Sequence, residues 1–137
     1  MIRFDTKIAV LLRDDLQTWQ RLNVTAFLVS GIAGTQAEVI GEPYADADDT
    51  QYLPMFRQPV MVYAGDGDLL RTAYGKALDR GLAMSVFTAE LFVTGNDQDN
   101  RAAVAVVERD KLDLVGIAVY GPKNAVDKAV KGASLHH

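Results

Sequence analysis

This chain of 137 residues, 49% of them hydrophobic and 23% charged, has the length and make-up of one globular domain with its own core. It holds no cysteine, which excludes disulfides, thiolate-bound zinc and thiol nucleophiles. A formal net charge of −4 speaks against a general nucleic-acid or anionic-membrane surface.

The two histidines, His136 and His137, end the sequence. A histidine-centred triad or metal site is therefore not expected, and no metal or cofactor is assigned. Charged residues break up positions 1–5, and no apolar run reaches the length of a membrane span. A cytoplasmic protein without a membrane partner is the expectation.

Residues 6–12 form a short continuous apolar run that stops at Arg13-Asp14-Asp15. Such a run predicts a central strand buried on both faces. Asp14, with Gln17 three residues on, gives a capping-box signal. Leu16, Trp19, Leu22, Ala26, Phe27, Val29 and Ala33 then follow at helical spacing, with Gly31 or Gly34 as the stop. Residues 37–44 predict a weak edge strand, because Gly41 and Pro43 interrupt it. Residues 45–50 read as a polar turn and 52–58 as irregular chain.

Residues 59–64 predict a second strand, and Gly65-Asp66-Gly67-Asp68 a turn that ends in a helix cap. Leu69, Leu70, Ala73, Ala77 and Leu78 give the next helix, closed by Arg80 and Gly81. Residues 82–87 predict another strand. Residues 97–107 fit either a helix capped at Asn96-Asp97 or a strand over 103–107. Helix is favoured, since no turn signal breaks 98–108. A last strand over 114–120 feeds through Gly121-Pro122 into a helix carrying Ala125, Val126, Ala129 and Val130, with Pro122 at its first position and Gly132 as its stop. Exposed N–H groups at such a helix start suit an anion, and Lys123 is a cation placed beside it.

Two motifs fall short. Gly65-Asp66-Gly67 lacks the third glycine of a dinucleotide loop, because position 70 is Leu. Asp46, Asp48 and Asp49 lack the glycine and glutamate of a calcium loop, where Gln51 and Arg57 stand instead. A capped turn and a solvated turn are the readings. Arg13 and Asp14 lie at a strand's carboxyl end, where α/β sites form. Thr88 and Glu90 follow another strand end and can lie beside them. Asn23 and Thr25 sit close to the first helix's apolar stripe, as core hydrogen-bonding groups or as site groups.

Residues 7–16, with Arg13-Asp14-Asp15-Leu16, resemble the opening strand of the peptidyl-tRNA hydrolase type 2 family and its Arg-x-Asp-Leu ending. Residues 58–63 resemble its second core strand, and Gly81-Leu82-Ala83-Met84-Ser85 its Gly-Leu-x-x-Ser strand. Residues 115–117, Gly121-Pro122 and 126–132 resemble its closing strand and helix. The resemblance covers most of the chain, in order. That family carries Gly-Lys-x-x-x-Gln on its first helix, with the lysine assigned to catalysis. Asn23 falls at or next to that lysine, and Ala26 or Phe27 at the glutamine. Thr88-Ala89-Glu90 stands where the family has Asp-Ala-Gly. An amide does not replace an ammonium in stabilising negative charge. The whole pattern, including Tyr120-Gly121-Pro122-Lys123, looks closer to an uncharacterised bacterial family, domain of unknown function two thousand, grouped with this fold.

The resemblance implies one domain over 1–137, a three-layer α/β/α sandwich whose mixed, mainly parallel sheet has four to five strands. The first functional expectation is a small-ligand or anion-binding domain using Arg13, Gly121 and Lys123. The alternative is a hydrolase of an ester or amide in a nucleotide-linked substrate such as peptidyl-tRNA, with Asp14, Asn23, Thr25 and Thr88 as its working residues. A third expectation is an interaction subunit that forms a homodimer through an apolar helix face. Nucleic acid is expected only as a tRNA-linked substrate.

Overall fold

The structure is a computed structural model that describes residues 2–136. Its spine is strand β1, Thr6–Arg13. Ile8, Ala9, Val10, Leu11 and Leu12 are each at most 1% exposed, as a continuous apolar run requires. Strand β4, Val60–Gly65, runs parallel to β1 on one side. Strand β6, Leu114–Pro122, runs antiparallel on the other. Strands β5, Ala83–Thr88, and β7, Ser134–Leu135, form the two edges. The five-stranded order is β5-β6-β1-β4-β7.

Among the described residues only the β1–β4 pair is parallel, so the mainly parallel sheet expected from the sequence is corrected to a mostly antiparallel one. Alternating strands and helices suggested parallel crossovers. The connection from β5 instead delivers β6 in the opposite direction, between β5 and β1.

Helices cover both faces. Helix α1, Thr18–Thr35, packs over Ile8, Val10 and Leu12. Helices α2, Gly67–Asp79, and α4, Lys123–Ala129, lie on the face of Ala9 and Leu11. The α1 stripe is also corrected. Val24, Leu28 and Ile32 face inward at four-residue steps, while Trp19, Leu22 and Phe27 stay exposed. Gly116 allows that approach: a Cβ there would meet Val24 Cγ1 at 2.8 Å and Leu28 Cδ1 at 3.1 Å. The helix cap shifts from Asp14 to Gln17, whose N–H donates to Gln20 Oε1 at 2.9 Å. Asp14 is held earlier, its N–H donating to the Gly65 carbonyl at 2.9 Å. Neither Gly31 nor Gly34 stops α1, which runs to Thr35.

The edge strand expected over 37–44 is a 3₁₀ turn, Ala37–Val39, followed by a two-stranded ribbon of β2, Tyr44–Ala45, and β3, Gln51–Tyr52. At its tip Asp46 accepts hydrogen bonds from Thr50 N–H and Tyr52 Oη, which makes it a turn. Residues 97–105 are helical: α3, Asp97–Ala105, begins at Asn96, whose side chain accepts from Asp99 N–H. Two 3₁₀ turns, Ala89–Phe92 and Arg109–Lys111, flank it. Gly81 and Gly132 end their helices at positive φ of 64° and 96°. Pro122 is the cap of α4 and still pairs with Thr6, so the strand runs two residues further than its sequence suggested. Among the described residues, no helix is long and apolar enough to cross a membrane.

Candidate functional site

Strands β1 and β4 end together, with Arg13 opposite Gly65. The chain then passes from β1 to α1 on one face and from β4 to α2 on the other. Adjacent parallel strands that part in this way leave a crevice beyond their carboxyl ends, the habitual ligand position in α/β sheets. Here the crevice has a volume of ≈ 620 Å³, and Arg13, Asp14, Arg21, Asp66 and His136 supply its charged and polar wall.

Arg13 is fixed by three acceptors. Its Nε donates to Asp15 at 2.7 Å, and Nη1 donates to Asp113 at 3.0 Å and to the Leu114 carbonyl at 3.3 Å. These carboxylates, Asp15 foremost, hold the guanidinium above its ordinary pKa against the opposing effect of burial. Arg21 differs. Its Nε donates to the Leu16 carbonyl at 2.9 Å, and Nη1 lies 3.3 Å from His136 Nε2. Among the described residues, no carboxylate forms an ion pair with Arg21. His136 reaches this place because its N–H donates to the Val62 carbonyl at 2.8 Å, extending the β7 pairing. Arginine only donates, so Nε2 of the ring is the acceptor.

The same crevice carries carboxylates. Asp66 caps α2, accepting from Leu69 N–H at 2.8 Å, which makes Gly65-Asp66-Gly67 the capped turn read from the sequence. The Asp14 side chain is exposed. The crevice thus holds one guanidinium without an ion-pair partner among the described residues, together with two acidic groups. Among the described residues, no group of three or more acidic or histidine side chains is arranged to hold a metal.

The other residues singled out from the sequence do not converge here. Gly121 pairs with Lys7 at the amino end of β1, because β6 is antiparallel, and Lys123 lines a second cleft of ≈ 600 Å³ on that opposite edge. The Lys123 N–H donates to the Asp5 carbonyl at 2.9 Å, so this donor at the start of seven-residue α4 is already used. Asn23 lines a third cleft, between α1 and α3. The Thr25 hydroxyl donates to the Arg21 carbonyl at 2.7 Å, within its own helix. Thr88 is 1% exposed, and its Oγ1 has no hydrogen-bond partner among the described residues. It sits at an irregularity in the β5–β6 pairing, next to Ala89, whose N–H donates to the Asp113 carbonyl. Sequence reasoning missed Arg21 and His136. Arg21 carried only the signal of a cation on the first helix, and His136 joins it through tertiary pairing alone.

Fold and crevice together define an α/β domain with a charged crevice beyond its parallel strand pair. The sequence matches the family described as "Protein of unknown function (DUF2000)" over residues 6–137, and the chain belongs to that family. It is similar to a solved structure of the protein of unknown function Atu0240 from Agrobacterium tumefaciens str. C58, with 46% identity and a TM-score of 0.95. The match covers 98% of this chain and 100% of that one. No curated protein matches it.

Proposed function

We propose that this chain is a binding domain for a small polar ligand with an anionic group, seated in the crevice beyond β1 and β4. The observation that carries this reading is Arg21. Its guanidinium lines the crevice, yet the groups that meet it are carbonyls and an imidazole. A charge-assisted, paired contact from a bound carboxylate or phosphate would complete it. Asp14 and Asp66 in the same crevice suit a donor, such as an amino or hydroxyl group, on the same ligand. The proposed ligand residues are Arg13 and Arg21; Gly121 and Lys123 lie on the other edge and leave the set.

The peptidyl-tRNA hydrolase type 2 likeness belongs to this proposal as an account of the fold, supported by the ordered strand motifs. The hydrolase alternative has weaker support, since Asp14, Asn23, Thr25 and Thr88 serve separate surroundings. The homodimer also stays a proposal, for light scattering to decide.

A thermal-shift series with inorganic phosphate, acetate, glycine and phosphoethanolamine tests the binding reading. A ligand that binds only the folded form raises the midpoint. The expected result is a rise with at least one of the four that disappears in Arg21→Ala. No rise with any of them, or an equal rise in Arg21→Ala, overturns the reading.

A further inference from the structure

The cleft between α1 and α3 is built unlike the charged crevice. Four aromatic rings stand in a chain along it. Trp19 and Phe92 meet edge-on with centroids 5.7 Å apart, Phe92 and Phe87 lie 5.0 Å apart, and Phe87 and Phe27 6.0 Å apart. Trp19 and Phe27 remain 55% and 54% exposed, so the outer rings of the chain keep open surface. The Trp19 ring is held in orientation, because its Nε1 donates to Gln17 Oε1 at 2.8 Å.

Amides stand beside the rings. Asn23 and Asn100 both line the cleft. The Asn23 side chain makes no hydrogen bond among the described residues. Thr94 Oγ1, which also reaches the Leu91 carbonyl at 3.1 Å, meets the Asn100 amide, and the Nδ2 of Asn100 makes no other hydrogen bond among the described residues. Charge is balanced: Asp97, also at the cleft, is paired with Arg101 four residues on. The volume is ≈ 330 Å³. That stands at the lower end of small-molecule sites, about 300–1,000 Å³, and fits one ring system and little more.

We propose that this cleft binds a flat, uncharged heteroaromatic ring with a hydrogen-bonding edge, such as a nucleobase or a pyridine carboxamide. The ring stacks against the exposed aromatic faces, a contact every such π-face allows. Its polar edge meets Asn23 and Asn100, which offer both donor and acceptor. An aliphatic ligand would gain nothing from the amides, and an anion would meet no free cation here.

Trp19 is the single tryptophan of the chain, so its emission reports on this cleft. The intact protein is titrated with adenine, uracil and nicotinamide, with cyclohexanecarboxamide as the non-planar control. The proposal expects saturable quenching by at least one of the three rings and none by the control. In Asn100→Ala the affinity falls by up to about tenfold, and Phe27→Ala weakens it as well. Inorganic phosphate leaves the emission unchanged, which separates this cleft from the charged crevice. Circular dichroism checks that both variants fold; Asn23→Ala, at an exposed helix position, replaces Asn100→Ala if that variant does not. Quenching that never saturates, or that both variants leave intact, overturns the proposal.

Discussion

The guanidinium of Arg21 meets Nε2 of His136 at 3.3 Å, although 115 positions separate the two in the chain. The contact ties the last strand to the first helix across the mouth of the crevice. In His136→Ala, amide exchange over 134–136 should accelerate while β1 keeps its protection. The global cost should stay below about 1.5 kcal/mol, the range of one such hydrogen bond. Unchanged exchange at 134–136 would show that the backbone pairing alone holds the tail.

Lys7 is the centre of a second tie. Its Nζ donates to Asp127 and to Tyr63 Oη, each at 2.6 Å. Burial works against the charge, but the hydrogen bonds of Asp127 and Tyr63 together raise the pKa of Lys7 above its ordinary value. A folded-state pKa raised in this way stabilises the native form below the unfolded value of about 10.4. That contribution is lost as pH rises through the folded value. Urea unfolding should therefore show the gap between the unaltered chain and Lys7→Met shrinking in strongly alkaline buffer. At neutral pH, Asp127→Ala should cost about 1.5 kcal/mol, the low end for a charged hydrogen bond because Asp127 is half exposed. A gap that is constant across the alkaline range would contradict this account.

Gly116 sets how closely α1 lies on the sheet. Gly116→Ala places a methyl 2.8 Å from Val24 Cγ1 and 3.3 Å from Leu12 Cδ2, inside a closed core. Overpacking of this kind costs about 1–3 kcal/mol. Denaturant titration should show the midpoint moving down with little change in slope. A neutral result would mean that α1 slides outward freely.

The caps of α2 and α3 are alike in kind and unequal in consequence. Asp66 caps a helix that buries Leu70, Ala73, Tyr74 and Ala77, whereas Asn96 caps a helix with no buried residue. Loss of a cap costs about 1 kcal/mol. Asp66→Ala should lower global stability by that amount. Asn96→Ala should speed exchange within α3 and leave the unfolding midpoint nearly unmoved. Equal global losses in the two variants would show that α3 belongs to the cooperative core.

Much of the fold was legible where one rule decides alone. The apolar run of β1, short and rich in β formers, reads as a doubly buried strand, and Gly81 and Gly132 mark helix ends because each needs a positive φ. The stripe of α1 was not legible. Trp19, Leu22 and Phe27 have helical spacing, but two of them line an open cleft and Val24, Leu28 and Ile32 take the core instead. Strand direction was equally hidden, and that error placed Gly121 and Lys123 beside Arg13 when a full strand length divides them. Arg13 and Asp14 could be placed at this crevice from the sequence because a strand's carboxyl end is a local signal. Arg21 and His136 were not, since only the completed sheet brings them together.

Strand β5 has one consequence for the chain's behaviour under stress. It pairs with β6 on one side only, and its six residues, AMSVFT, include no charge and no proline. The guards that usually keep such an edge from recruiting another chain are absent. What stands along it is α3, across a neighbouring cleft that Ser85 and Val86 line together with Arg101 and Val104, and α3 is a helix with no buried residue. Heat that melts α3 first uncovers an uncharged ladder while the rest of the sheet is intact. Thermal failure of this protein should then proceed by intermolecular strand pairing, faster at higher concentration, as light scattering along a heating ramp would show.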